Sequence, residues 1–201
     1  FYGATKRRCN YNNDFMGKKI TVDGHGHATI DCQATSFGDF PKRGFIFANG
    51  ETRETVLRGV RIVRCRSGNH FDLSYYAAGN FGGCAHIQNS ATVFRDIIFE
   101  DCHSAKDGGA LNIKGGIAEL HNVSLNHCYA NFVGGGIAAG SSSELRWIGG
   151  RAHGCKSGGG GAVIKGVTSS AYTFDADIQN VVFDNNVIMQ QSGHGEFKFE
   201  T

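Results

Sequence analysis

Short apolar runs recur along the whole chain, two or three residues at a time. Examples are Ile20-Thr21-Val22, Phe45-Ile46-Phe47, Thr55-Val56-Leu57, Thr92-Val93-Phe94, Ile97-Ile98-Phe99, Glu119-Leu120 and Val181-Val182-Phe183. They are rich in β-branched and aromatic residues and bounded by Gly, Asn, Asp and Ser, which is how strands read. Helical repeats need long segments of period 3.6, and a glycine inside a helix costs roughly 1 kcal/mol against alanine. With 30 glycines in 201 residues, the pattern predicts short strands and no helical array.

The glycines set a period. Pairs fall at Gly82-Gly83, Gly108-Gly109, Gly134-Gly135 and Gly160-Gly161, each 26 residues after the last. A small residue follows each pair (Cys84, Ala110, Gly136, Ala162), then an apolar one (Ala85, Leu111, Ile137, Val163). Cys102, Cys128 and Cys155 keep nearly the same step. Self-similarity of this size is the signature of a solenoid, whose repeats bury little until stacked. Two or three strands per repeat, without helices, predict an all-β parallel β-helix of about six coils, each advancing the array by ~4.8 Å.

Taken in order, residues 1–19 are polar, basic and aperiodic and read as a cap or entry segment on the open end. The β-helix is expected over 20–190, and 191–201 as a tail in which Glu196–Phe199 forms a terminal edge strand. The first strand is placed at Ile20–Val22, with a turn at Asp23–Gly26 before Ala28–Cys32. Insertions are expected at Thr35–Arg43 and Ser67–Phe81, and a longer loop at Val167–Asp177 before a strand at Ile178–Phe183. Solenoids carry such insertions in loops, often on a binding face. The first residue is Phe, with no charged-then-apolar leader, so the sequence reads as a processed product or a fragment.

Gly108-Gly109-Ala110-Leu111 and Gly160-Gly161-Ala162-Val163 resemble one half of the repeat of the chlamydial polymorphic outer-membrane proteins. Phe183-Asp184-Asn185-Asn186 fits its other half, Phe-x-x-Asn. Phe99–Cys102, Leu125–Cys128 and Ile62–Cys65 look like the same motif with Cys in the Asn place, and Gly82-Gly83-Cys84 and Gly134-Gly135-Gly136 are weaker copies. The resemblance covers roughly residues 20–190. It implies a right-handed parallel β-helix in an exported or surface-associated protein, adhesive or structural in role.

The Cys/Asn position has its own physical reading. Cys65, Cys102, Cys128, Cys155 and Asn186 are expected to stack as a structural ladder. An Asn there extends an amide hydrogen-bond ladder, and a Cys is a small buried hydrophobe. Free thiols, disulfides and a metal site all stay open. Stacked Cα atoms lie within disulfide range, whereas parallel side chains seldom reach the torsion. Seven cysteines leave at least one unpaired in a monomer.

The residues offer little catalytic apparatus. A glycosidase needs two acidic groups across a sugar, and a lyase needs a base with charge neutralisation. Alternation after the glycine pairs is expected to point His86, Asn112, Ala138 and Ile164 outward, then Gln88, Lys114, Gly140 and Gly166, with no carboxylate among them. Glu100, Asp101, Asp107 and Asp184 collect near the turn with His103, His127 and His153, where side chains are normally solvated. His25-Gly26-His27 has ligand-like spacing without a third ligand, and Asn122-Val123-Ser124 is the one glycosylation sequon. No catalytic residue, metal or cofactor is therefore assigned.

A net charge of +2 gives no case for nucleic acid, and no apolar run approaches the ~20 residues of a membrane span. Phe15 in the cap and Phe37, Phe40, Phe71, Tyr75, Tyr76 and Phe81 in the insertions are candidate loop contacts for a partner protein or glycan. The expectation is a non-catalytic scaffold or adhesion module of a surface, extracellular or lumenal protein, part of a larger assembly. The alternative is a polysaccharide-active enzyme with its site in the loops.

Overall fold

The computed structural model describes residues 11–34, 42–68, 80–166 and 174–189. Over these the chain is all-β and passes repeatedly through the same three sheets, each passage being one circuit. The first circuit holds β1 (Asn13–Asp14) and β2 (Thr21–Asp31). The second holds β3 (Phe45–Phe47), β4 (Val56–Val63) and β5 (Arg66–Ser67). The third holds β6 (Ala85–Gln88), β7 (Ala91–Arg95), β8 (Ile98–Glu100) and β9 (His103–Ser104), and the fourth β10 (Leu111–Lys114), β11 (Ile117–Asn126) and β12 (Tyr129–Ala130). The fifth contains β13 (Ile137–Ala139), β14 (Ser143–His153) and β15 (Lys156–Ser157). The sixth contains β16 (Ile164–Gly166), β17 (Phe174–Asp184) and β18 (Val187–Ile188).

The first sheet has the order β1-β3-β6-β10-β13-β16, the second β17-β14-β11-β7-β4-β2 with β8 joining β4 and β11, and the third β18-β15-β12-β9-β5. Each strand pairs in parallel with its counterpart in the next circuit. This architecture is compatible with a parallel β-helix.

Register corrects the expected spacing at one place. Ala85 pairs with Leu111, Leu111 with Ile137, and Ile137 with Ile164, so the last step is 27 residues rather than 26. The glycine equivalent to Gly82, Gly108 and Gly134 is therefore Gly161, not Gly160, and all four take positive φ (63°, 72°, 64° and 64°). Ile164, expected to face outward, stands in the inward column and packs against the core, while Lys165 takes the outward place beside Ala138. Gly166 likewise pairs with inward Ala139. The step from Cys128 to Cys155 carried this one-residue insertion, and the glycine run Ser157–Gly161 concealed it.

Further differences concern the ends. The segment 1–19, expected only to cap, supplies β1 to the first sheet. Its Phe15 is buried edge-on against Phe45 and Phe47, with centroids 5.8 and 5.3 Å away. Asp23–Gly26 is not a turn between strands: β2 runs through it, with Gly24–His27 opposite the single Gly59 as a bulge. Strand β17 begins at Phe174, inside the segment expected as a loop up to Asp177. Pro41, Glu196–Phe199 and most of both expected insertions lie outside the described residues.

Inward positions form columns along the stack. One runs Val22, Leu57, Phe94, Leu120, Trp147, Ile178, and another Ile30, Ile62, Phe99, Leu125, Ala152, Phe183. Leu57, Phe94, Leu120, Trp147, Ile62, Phe99 and Leu125 are wholly buried. Trp147 Nε1 donates to Gly149 O at 3.0 Å, which settles its one polar atom.

The cysteines divide in a way the sequence did not resolve. Cys65, Cys102, Cys128 and Cys155 each follow a left-handed corner residue (Arg64, Asp101, His127, Gly154), and Asn186 follows Asn185. Asn186 accepts from Cys155 N (2.9 Å) and donates to Ala152 O (3.1 Å), as expected of an amide rung. Two disulfides join Cys32 to Cys65 and Cys84 to Cys102, while Cys128 and Cys155 are buried thiols. Each bridge pairs one ladder cysteine with one outside the ladder: Cys32 precedes its corner residue Gln33, and Cys84 opens the first sheet.

Close backbone approach makes some glycines irreplaceable. A Cβ on Gly109 would lie 2.0 Å from Gly135 O, whereas one on Gly136 meets the mobile end of Leu125 at 2.7 Å in a column that elsewhere holds Cys84, Ala110 and Val163. Urea denaturation is expected to show Gly109→Ala losing ~3 kcal/mol or more and Gly136→Ala ~1 kcal/mol. Trp147→Ala should lose ~3–5 kcal/mol. Equal losses for the two glycine variants would contradict this register.

Candidate functional site

Three surfaces could bear function: the outer face of the first sheet, the charged outer face of the second, and the end of the stack at the sixth circuit. On the first sheet the outward column reads Asp14, Ile46, His86, Asn112, Ala138, Lys165. Sequence reasoning missed Asp14, because β1 lay inside the presumed cap. Asp14 is engaged locally, accepting from Met16 N (2.7 Å) and from Asn49 Nδ2 (3.0 and 2.9 Å).

His86 and Asn112, expected outside, do leave the inner face but are buried. His86 Nε2 lies 3.4 Å from Gln88 Oε1, and among the described residues its Nδ1 has no hydrogen-bond partner. Burial, reinforced by the Arg43 guanidinium, pushes its pKa down to about 4, so it is a neutral imidazole at pH 7. Arg43 is itself buried and directs Nε to the carbonyls of Phe81 (3.0 Å) and Gly82 (2.8 Å). It thereby ties the second circuit to the start of the third, a structural task. Lys114 is exposed.

The acidic and histidine residues near the turn do not converge. Glu100 is held by Arg61 through a forked pair at 2.7–3.0 Å. Asp184 accepts from Arg151 (2.7 and 2.6 Å) and lies 2.6 Å from His153 Nδ1, contacts that hold its carboxyl far below the ordinary range. Asp101 occupies an exposed left-handed corner, and His127 packs edge-on to His153 at 5.3 Å. Two of the group depart from the solvated expectation. Burial pushes His103 down to about 4 and raises Asp107 to about 6. Asp107 sits where the third sheet turns into the first; its Oδ1 accepts from Val133 N at 3.3 Å.

Ion pairs cross between circuits on the second sheet's outer face, most of them between neighbours, while Arg53 of the second circuit reaches the fourth and fifth. Arg58 meets Asp23 (2.7 Å), Arg64 meets Asp31, and Arg53 reaches Glu119 (2.5 Å) and Glu144 (3.0 Å). Arg146 reaches Asp177 at 3.5 Å. The arginines are about half exposed, so each pair contributes on the order of 0.2–1 kcal/mol. Asn122 stands at a left-handed kink in β11, its amide donating to Asp96 Oδ1 at 2.7 Å.

Of the candidate loop aromatics, Phe37, Phe40, Phe71, Tyr75 and Tyr76 lie outside the described residues; Phe81 lies under the Lys106 ammonium at 5.8 Å. His25 and His27 are exposed on the β2 bulge. Among the described residues no three His, Cys, Asp or Glu side chains are grouped to hold a metal ion, and no helix is long and apolar enough to cross a membrane.

The ends of the stack differ. At the first circuit Phe15 plugs the interior and the bulge interrupts the edge strand β2. At the sixth, β17 is regular over Phe174–Ile178 and Val181–Asp184 and has a single neighbour, β14, among the described residues. Its inward Ile178, Val181 and Phe183 are only partly buried, and Ala176 is exposed.

Compared with protein families, curated proteins and solved structures, the chain matches none.

The half-buried Asp107 makes a pH prediction. Its folded pKa, about 6, lies above the ordinary 3.8. Its contribution is therefore fully present below 3.8 and is lost as pH rises through about 6, a change of about 3 kcal/mol. Asp107→Asn keeps an acceptor for Val133 N. Urea titrations should find it stabilised against wild type at pH 8 and little changed at pH 4; an equal effect at both would contradict the burial.

Proposed function

We propose that this chain is a right-handed parallel β-helix of about six coils that works as a non-catalytic scaffold or adhesion module. Its setting is a surface, extracellular or lumenal protein belonging to a larger assembly, in the manner of the polymorphic outer-membrane proteins whose repeat it resembles. The observation that carries this reading is where the charged side chains go. On the regular second sheet, arginines and carboxylates bind one another across circuits, which leaves them holding strands in register rather than facing a substrate. Two disulfides support an oxidising compartment, where such bonds persist. The near-neutral net charge supports protein or glycan partners over nucleic acid.

The test is a screen of the full chain against acidic polysaccharides such as pectin and alginate, following new reducing ends and unsaturated products. The expected result is no turnover above that of Glu100→Ala and Asp101→Ala. Turnover abolished by either substitution would replace the scaffold with a polysaccharide-active enzyme.

A further inference from the structure

Resting on the reading that places the chain in an exported protein, we propose that Asn122 is a modification site. It accepts an asparagine-linked oligosaccharide on the outer face of the second sheet.

The motif is Asn122-Val123-Ser124, and the fold supplies what the motif alone lacks. An acceptor inside a flat, fully paired strand would set its sugar among the side chains of both neighbouring strands. Asn122 is placed otherwise. It belongs to β11, yet pairing with β14 runs over Ile117–His121 and then Val123–Asn126 and skips it. On the other side the register stops at His121 with β7 and resumes at Ser124 with β8. Asn122 sits in that gap with φ 52°, and it is exposed. Val123 turns into the core and is wholly buried. Ser124, whose hydroxyl the motif requires, stands in the outward column between Ile98 and Arg151.

Room for a sugar follows from the neighbours. The equivalent residue of the fifth circuit is Gly149, at φ 70°, where an added Cβ would meet only the Asn122 backbone, at 3.9 Å. On that side no side chain crowds the asparagine. On the other, Asp96 Oδ1 accepts from Asn122 Nδ2 at 2.7 Å. A side-chain amide nitrogen carries two hydrogens. Glycosylation replaces one and leaves the other to Asp96, so the contact survives the modification.

The co-reactant is an oligosaccharide carried on a polyprenyl diphosphate in the secretory membrane. Asn122 Nδ2 bonds to the anomeric carbon, and that carbon's bond to the diphosphate oxygen breaks. The polyprenyl diphosphate leaves with the electron pair, and the amide proton passes to a base of the transferase. Transfer takes place as the chain enters the compartment, before β11 is paired, so the folded structure decides only whether the sugar is tolerated. Two disulfides fit the same oxidising route. Asn180 is an internal comparison. It holds the same place in the sixth circuit, exposed and at φ 55°, but Val182 stands where the hydroxyl is needed.

The test is secretion of the full chain from cultured mammalian cells behind a cleavable export signal. Intact and peptide mass spectrometry follow, before and after peptide-N-glycosidase digestion in heavy-oxygen water. The expected result is a single glycan, whose removal converts Asn122 to aspartate, with Asn180 bare. Asn122→Gln and Ser124→Ala should each abolish it, the second without touching the kink, and Ser124→Thr should retain it. The glycosylated chain should carry the Cys32–Cys65 and Cys84–Cys102 links. An unmodified Asn122 on the secreted chain overturns the proposal. So does a sugar that persists in Ser124→Ala, or one found only on chains with other disulfide links. Where secretion fails, import into microsomes during cell-free translation reads the same mass step, and its absence there is equally decisive. None of these outcomes bears on polysaccharide turnover. A bare Asn122 on a chain secreted with both links removes the site and leaves the scaffold reading standing.

Discussion

The structure depends on each circuit donating and accepting its backbone hydrogen bonds almost entirely with the circuits before and after it. A chain that must return to the same register after every passage has to turn its corners alike. Here it does so with residues of positive φ: Gly82, Gly108, Gly134 and Gly161 before the first sheet, and Arg64, Asp101, His127, Gly154 and Asn185 after the second. A third series, Gly59, Asp96, Asn122, Gly149 and Asn180, kinks the second sheet in its middle. For a residue with a Cβ this conformation is costly, which is why Gly, Asn and Asp dominate these positions. The bulky corners, Arg64 and His127, are tolerated because strands on both sides hold them in place.

Once corners fix the register, chemistry sorts itself by column. Inward columns fill with Leu, Phe, Ile and one Trp, while outward ones on the second sheet mix charged, polar and apolar residues. The cysteines show how geometry decides among the options that composition leaves open. Neighbouring ladder side chains run parallel, and Cys128 and Cys155 stay as thiols. Cys65 and Cys102 are instead bridged by Cys32 and Cys84, which approach from outside the ladder. The first bridge fastens the opening circuit to the second, and the other closes the third circuit across its own interior. Each constrains the unfolded chain by ~2–4 kcal/mol in the usual entropic account.

Much of this was legible in the sequence because it repeats. The strand content and the parallel all-β character follow from the short apolar runs and the spacing of the glycines. What spacing could not give was the place of the one-residue insertion, which register puts between Ala139 and Glu144; the run Ser157–Gly161 hid it, since any two of its four glycines could serve as the pair. Nor could it find β1, whose Asn13-Asp14 carries no apolar signal and whose place is set by tertiary pairing with Phe45 and Ile46. The bulge in β2 was read as a turn because Asp-Gly-His-Gly is turn-like locally, while the strands either side hold it in the sheet. The candidate site was less legible than the fold. That His86 and Asn112 are buried on the outer face of the first sheet, and that Arg53 reaches Glu119 and Glu144, depends on tertiary packing that a linear sequence does not mark.

Disulfide mapping of the unreduced protein by peptide mass spectrometry tests the stacking most directly. Cys32–Cys65 can form only if the first two circuits lie on one another, and Cys84–Cys102 only if the third closes as described. The account predicts these two linked peptides, with Cys128 and Cys155 recovered as thiols. A bond from Cys32 to Cys102, or from Cys84 to Cys155, would place different strands side by side and contradict it.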